Sequence, residues 1–234
     1  MTGLITTYIR RAAFLRSAAL VMAPAMLMAC TSPTPGILET TMPTATLERF
    51  TYCAGYGCTQ PWNMVIHQDE WARVSALFDE PAESAAEERQ QIALAVGEIE
   101  NIVGPKANTA DDEAGATVLT LKSTRGQLDC IDESHNTTVF LNFMQRDGFF
   151  RWHTIGPVAQ RGKIIDRWFH NTAVVIENET GASYVIDSWF GLNGDPADVV
   201  PLDLWMDGWH PDGFKNGVTR EMIEKAASGP NAAE

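Results

Sequence analysis

Three residues stand at spacings that suit acyl-transfer chemistry. Cys130 lies in RGQLDCIDESHNTTVFL, His170 opens HNTAVVIE 40 residues later, and Asp187 lies in YVIDSW, 17 residues after the histidine. A thiol attacks as thiolate, a histidine within reach takes its proton, and a carboxylate orients the imidazole. Such a cysteine gains from standing at a helix start, where unsatisfied backbone N–H groups and the helix dipole favour an anion. Asp129, Asp132 and Glu133 pull the other way, because neighbouring negative charge disfavours a thiolate. A lone cysteine is more often an inert buried thiol. The elements around it therefore carry the argument.

Asp129 can cap a helix running from about Cys130 to Asp147, with Gly148 closing it. Strand-like segments follow in FFRWHTIGPV, DRWFHNTAVVIE and GASYVIDSWF, and NETG between the last two is a hairpin signal. A hairpin closing around residues 178–181 puts Glu177 opposite Ala182, so paired residue numbers sum to 359. Asp187 then faces Thr172, and His170 shares the face of Thr172 because side chains alternate with period two. His170 and Asp187 become diagonal neighbours, and Trp189 falls across from His170 as a candidate wall of a substrate cleft.

Upstream, Trp71, Val74, Leu77 and Phe78 share a helical face that stops at Pro81. Ser84 and Glu87 form a capping-box pattern ahead of the stripe Ile92, Val96, Ile99 and Val103, with Gly104-Pro105 as its expected end. TVLTLK reads as a short strand, residues 191–209 as loop, and TREMIEKAA as a final short helix. Helices first and an antiparallel sheet second predict an α+β fold.

The first 29 residues read as a removable signal: Arg10, Arg11 and Arg16 precede an apolar run too short to span a bilayer. They end in LMAC, which resembles the lipobox of bacterial lipoproteins and implies lipidation of Cys30. The implied organisation is a signal over 1–29, a Thr/Pro-rich tether over 30–49, a domain over 50–225 and a disordered tail over 226–234. Acyl chains would hold the domain at a membrane, with the outer membrane facing the periplasm as the expected location. Loss of the three signal arginines takes the formal net charge from −13 to −16, which argues against nucleic acid as a partner. With Cys30 lipidated, Cys53 and Cys58 in CAGYGC are the expected disulfide of an oxidising compartment, and Cys130 is left over. Two cysteines with no nearby histidine pair are a poor zinc set, and we expect no metal or cofactor.

The order Cys, His, Asp, with cysteine on a helix start and the others on adjacent antiparallel strands, resembles the transglutaminase-like branch of the papain-like superfamily. That branch includes bacterial transglutaminase-like cysteine proteinases. The resemblance covers roughly residues 84–190, although GQLDC replaces the Gly-x-Cys or Gly-Asp-Cys often seen there. It implies that Cys130 attacks an amide or thioester carbonyl of a protein or peptide, His170 shuttles the proton, and Asp187 holds the imidazole. Gln127 is the candidate second oxyanion donor beside the Cys130 backbone N–H.

Two other readings stand beside this one. NlpC/P60 peptidoglycan hydrolases, also papain-like, open the cysteine helix with DC but usually continue Ser-Gly, where this chain has Ile131-Asp132. A non-catalytic papain-like binding lipoprotein would lack a triad member, and none is missing. His153 is an alternative base, His135 a packing or surface residue, and Asp195, Asp198, Asp203 and Asp207 lack EF-hand spacing for Ca2+.

Overall fold

A computed structural model describes residues 38–117, 124–163, 167–212 and 214. All of them belong to one compact unit spanning 31–234. The signal segment, Cys30, residues 118–122 of the TVLTLK strand, the TREMIEKAA helix and the tail lie outside the described residues. Among the described residues, no helix is long and apolar enough to cross a membrane.

The fold is mixed α+β. The first strands are a short antiparallel pair, β1 (Phe50–Tyr52) and β2 (Trp62–Met64). Helices α1 (Gln68–Ser75), α2 (Ala85–Ala107) and α3 (Cys130–Arg146) follow. The strands β3 (His153–Ile155), β4 (Ala159–Lys163), β5 (Arg167–Glu177), β6 (Ser183–Asp187) and β7 (Asp198–Pro201) build the main sheet, and α4 (Leu202–Met206) closes the order. The sheet runs β3-β5-β6-β7 and is antiparallel throughout, with β4 also paired to β5.

Residues 30–49 are not a tether along their whole length. Residues 38–41 form a helical turn, Met42–Thr44 a 3-10 turn, and Leu38, Met42 and Leu47 pack on the core. Apolar side chains at this spacing give the segment a surface to bury, which the Thr/Pro composition conceals. Helix α2 starts as its sequence requires, with Ser84 accepting from the Glu87 N–H at 3.2 Å. It passes through Pro105 and ends at Asn108, whose left-handed φ of 57° turns the chain out. Proline in the last turn removes only one intrahelical bond, so it need not stop a helix so near its end.

Helix α3 is the centre of the molecule: 13 of its 17 residues are buried. Its Val139, Phe140, Phe143 and Met144 meet the α2 stripe, Phe50 of β1, and Ala173, Val175 and Ile186 of the sheet in one apolar cluster. A helix buried on nearly all sides must satisfy its polar side chains internally. That requirement shapes the site.

Candidate active site

Cys130 is the first residue of α3, and Asp129 caps it by accepting from the N–H groups of Ile131 and Asp132, each at 3.0 Å. The β5–β6 register pairs Ala173 with Ile186 and Val174 with Val185, so residue numbers sum to 359. The hairpin closes through the Glu177 N–H to Ala182 O bond of 2.8 Å, and no bulge interrupts the ladder from Ala173–Ile186 to Ile176–Ser183. His170 and Asp187 thus share a face, and His170 Nε2 lies 2.7 Å from Asp187 Oδ2. Both side chains are buried. The other imidazole nitrogen, Nδ1, is buried and has no hydrogen-bond partner.

The thiol sits against the backbone on either side of His170. Cys130 Sγ is 3.8 Å from Phe169 O, and the Asn171 N–H donates to the sulfur. Burial pushes the thiol well above its usual range, and the charges of Asp129, Asp187 and Asp132 add to that, outweighing the Asn171 bond. Cys130 therefore rests as a neutral thiol, and the helix start does not by itself make a thiolate. Trp189 is where the register puts it, 4.5 Å from the imidazole between ring centroids. It is buried, with its indole N–H on Ala116 O at 2.9 Å, so it walls a closed site rather than an open cleft. Phe190 joins Cys130 and Trp189 in one buried cluster, with Trp209 and Phe214 packed against it, and Cys130 is only 5% exposed.

Gln127 does not fill the role expected of it. Its Nε2 donates to Asp111 O at 3.0 Å and Gly126 O at 3.2 Å, and its Oε1 accepts from the Glu113 N–H. With both amide hydrogens engaged, none is left for an oxyanion. Gly126, at φ 71°, sets this turn, and a Cβ there would strike the Asn108 carbonyl oxygen.

The alternative histidines have other partners. His153 Nδ1 meets Glu88 Oε1 at 2.9 Å and its Nε2 meets Arg89 Nη1 at 3.1 Å, in a buried network on β3. His135 is a packing residue of α3, pushed down to about 4 by burial, with its Nε2 on Thr51 O. Of the four aspartates weighed for Ca2+, Asp195 and Asp203 bond local backbone N–H groups, while Asp198 pairs with Asp187 across the strands.

Cys53 and Cys58 form the expected disulfide, and Cys130 is the free cysteine among the described residues. The disulfide loop does more than close a ring. Gly55, Tyr56, Gly57 and Cys58 have φ values of 81°, 67°, 62° and 60°, a left-handed run that turns successive N–H groups to one side. Those groups meet the carboxylates around the cysteine: Tyr56 and Cys58 donate to Asp132 at 2.8 and 2.6 Å, and Gly57 to Asp129 at 3.1 Å. Asn136 adds a reciprocal pair with the Cys53 backbone. Cys53, Cys58 and Asp132 bring their ligand atoms within 4.8 Å of one another, but sulfurs bonded to each other are not thiolate ligands.

No known protein family, characterised protein or solved structure matches this chain.

Behind the cysteine lies a buried acidic group, of which the sequence singled out only Glu133, as a charge opposing the thiolate. Ser188 donates to Glu133 Oε2 at 2.6 Å and lies 3.0 Å from the Thr137 hydroxyl. Glu133 is pushed up to about 7 by burial, Asp112 to about 9 by burial and then Glu133, and Glu100 well upward for the same two reasons. Nothing local in the sequence marks these acids as buried, because they come from α2, α3 and the loop between them.

Proposed function

We propose that the chain is a lipid-anchored cysteine hydrolase of the transglutaminase-like, papain-like type, cleaving peptide or amide bonds in the periplasm. The observation that carries this reading is the buried His170–Asp187 pair, with its second ring nitrogen unpartnered and the thiol against the same stretch of β5. Asp187 accepts at Nε2, so the proton resides there and Nδ1 keeps the lone pair of a base. Cys130 rests as a thiol turned to Phe169 O, so the sulfur must first swing to the unpartnered Nδ1; its proton then passes to His170 as sulfur attacks, and the imidazolium protonates the leaving amine. Asp129 takes the N–H groups of Ile131 and Asp132, which leaves the Cys130 N–H as the helix-start donor for the developing oxyanion. Cys130 is only 5% exposed, so substrate reaches the sulfur only where the side chains around it give way. The disulfide supports an oxidising compartment.

The test is cleavage of unfolded polypeptide by purified protein, read by mass spectrometry. Cys130→Ala and His170→Ala are expected each to lower the rate at least ~100-fold. Undiminished cleavage by Cys130→Ala overturns the reading, and release of muropeptides from sacculi in a parallel arm would shift the substrate to peptidoglycan.

A further inference from the structure

Asp187 has a second buried partner besides His170. Trp205 of α4 donates its indole N–H to Asp187 Oδ2 at 2.8 Å, the same oxygen that meets His170 Nε2 at 2.7 Å. Trp205 comes from an element 18 residues beyond Asp187, in a short helix entered through Pro201 at the end of β7. Its ring is fully buried, lodged among Val174, Val185 and Val200. It lies 5.3 Å from the imidazole between centroids. The Arg161 guanidinium from β4 stands over the indole at 4.2 Å and donates to Trp205 O and Trp209 O. The indole is therefore gripped from the sheet and from its own backbone, with its one polar hydrogen aimed at the triad carboxylate.

We propose that Trp205 is a positioning residue of the triad, its indole N–H sharing Asp187 Oδ2 with His170 so as to fix the carboxylate and moderate its hold on the imidazolium. The inference rests on the reading of Cys130, His170 and Asp187 as a triad. An oxygen that already accepts one hydrogen bond gives less of its charge to the next donor. Trp205 thus restrains the Asp187–imidazolium contact while keeping the carboxylate oxygen in line with Nε2. Among the described residues, the remaining groups around Asp187 do not supply such a donor. Trp189 N–H reaches Oδ1 only at 3.4 Å, and Asp198 on β7 and Glu133 on α3 are acids whose charge repels a carboxylate. The Cys130 thiol points to Phe169 O, and Arg161 is spent on the backbone carbonyls of Trp205 and Trp209.

Trp205→Phe keeps a flat aromatic ring and deletes the donor. The expected result is a tighter imidazolium, so the acid limb of the kcat/KM profile moves to higher pH, by roughly a three- to tenfold change in proton concentration. KM is expected to change little, because the indole does not reach the sulfur. In an Asp187→Asn background the same substitution is expected to leave the limb where it is, since the shared carboxylate is gone. An unmoved limb in the first background, or an equal move in both, overturns the proposal.

A readout on unmutated protein covers the case in which Trp205→Phe does not fold. The Trp205 indole 1H–15N resonance is expected to change with pH in step with the His170 ring resonances, and independent titration of the two overturns the proposal. That NMR measurement needs no turnover. Failure of Cys130→Ala to abolish cleavage would therefore sink the hydrolase reading without deciding this one.

Discussion

Glu133 makes stability depend on pH in a direction that can be worked out in advance. The side chain is buried one residue beyond Asp132 on α3, and burial is the first cause that raises it from 4.5 to about 7, with Asp187 and Asp129 adding to it. Below about pH 4.5 the carboxyl is protonated in the folded and unfolded chains alike, and its contribution to stability is fully present. As pH rises the unfolded chain releases the proton first, so stability falls until the folded group also ionises near 7. A tenfold difference in proton affinity between the two states is worth about 1.4 kcal/mol, which makes the loss about 3 kcal/mol at pH 8.5. Glu133→Gln removes the charge and keeps an oxygen for the Ser188 hydroxyl, which donates at 2.6 Å. It should raise Tm by roughly 10 °C at pH 8.5, on the scale of about 2–4 °C per kcal/mol for a chain of this size, and by little at pH 4.5. Asp112 and Glu100 should reinforce the gain, because Glu133 is among the charges that push both of them up. The assay is thermal unfolding by circular dichroism across that pH range. An equal change in Tm at both pH values, or a lower Tm at pH 8.5, would refute the reasoning.

Two further outcomes follow from the elements around the cysteine. Cys53→Ser with Cys58→Ser should cost about 2 kcal/mol by loop entropy, with hydrogen exchange quickening more in the first turn of α3 than in the sheet; uniform quickening would count against a clamp on that turn. Gly126→Ala should lower both Tm and cleavage, because it imposes a side chain at φ 71° against the Asn108 carbonyl, and unchanged values would show that the turn can move at no cost.

The parts of the site that the sequence exposes are those set by local geometry. Asp129 caps α3 because its carboxylate reaches N–H groups two and three residues on, and period-two alternation brings His170 and Asp187 together once the hairpin loop is identified. The illegible parts depend on contacts between distant segments. Gln127 stands three residues before the cysteine, yet its amide is captured by carbonyls at Asp111 and Gly126, a matter of loop path rather than spacing. Residues 191–209 look like loop because β7 is a four-residue edge strand and α4 a five-residue helix, both too short to show periodicity. That loss hid Trp205, whose role depends on a hydrogen bond to another strand. Glu100, Asp112 and Glu133 are ordinary surface residues by type, and only the tertiary packing of α2, α3 and the loop between them takes them out of water.

The left-handed cystine loop also bears on how the chain acquires its covalent bonds. Cys53 and Cys58 are five residues apart, whereas Cys130 follows Cys58 by 72. Joining the near pair is favoured over either distant pairing by about 2 kcal/mol of chain entropy alone. The ring that grips Asp129 and Asp132 thereby takes two sulfurs out of competition for Cys130, which stays a free thiol.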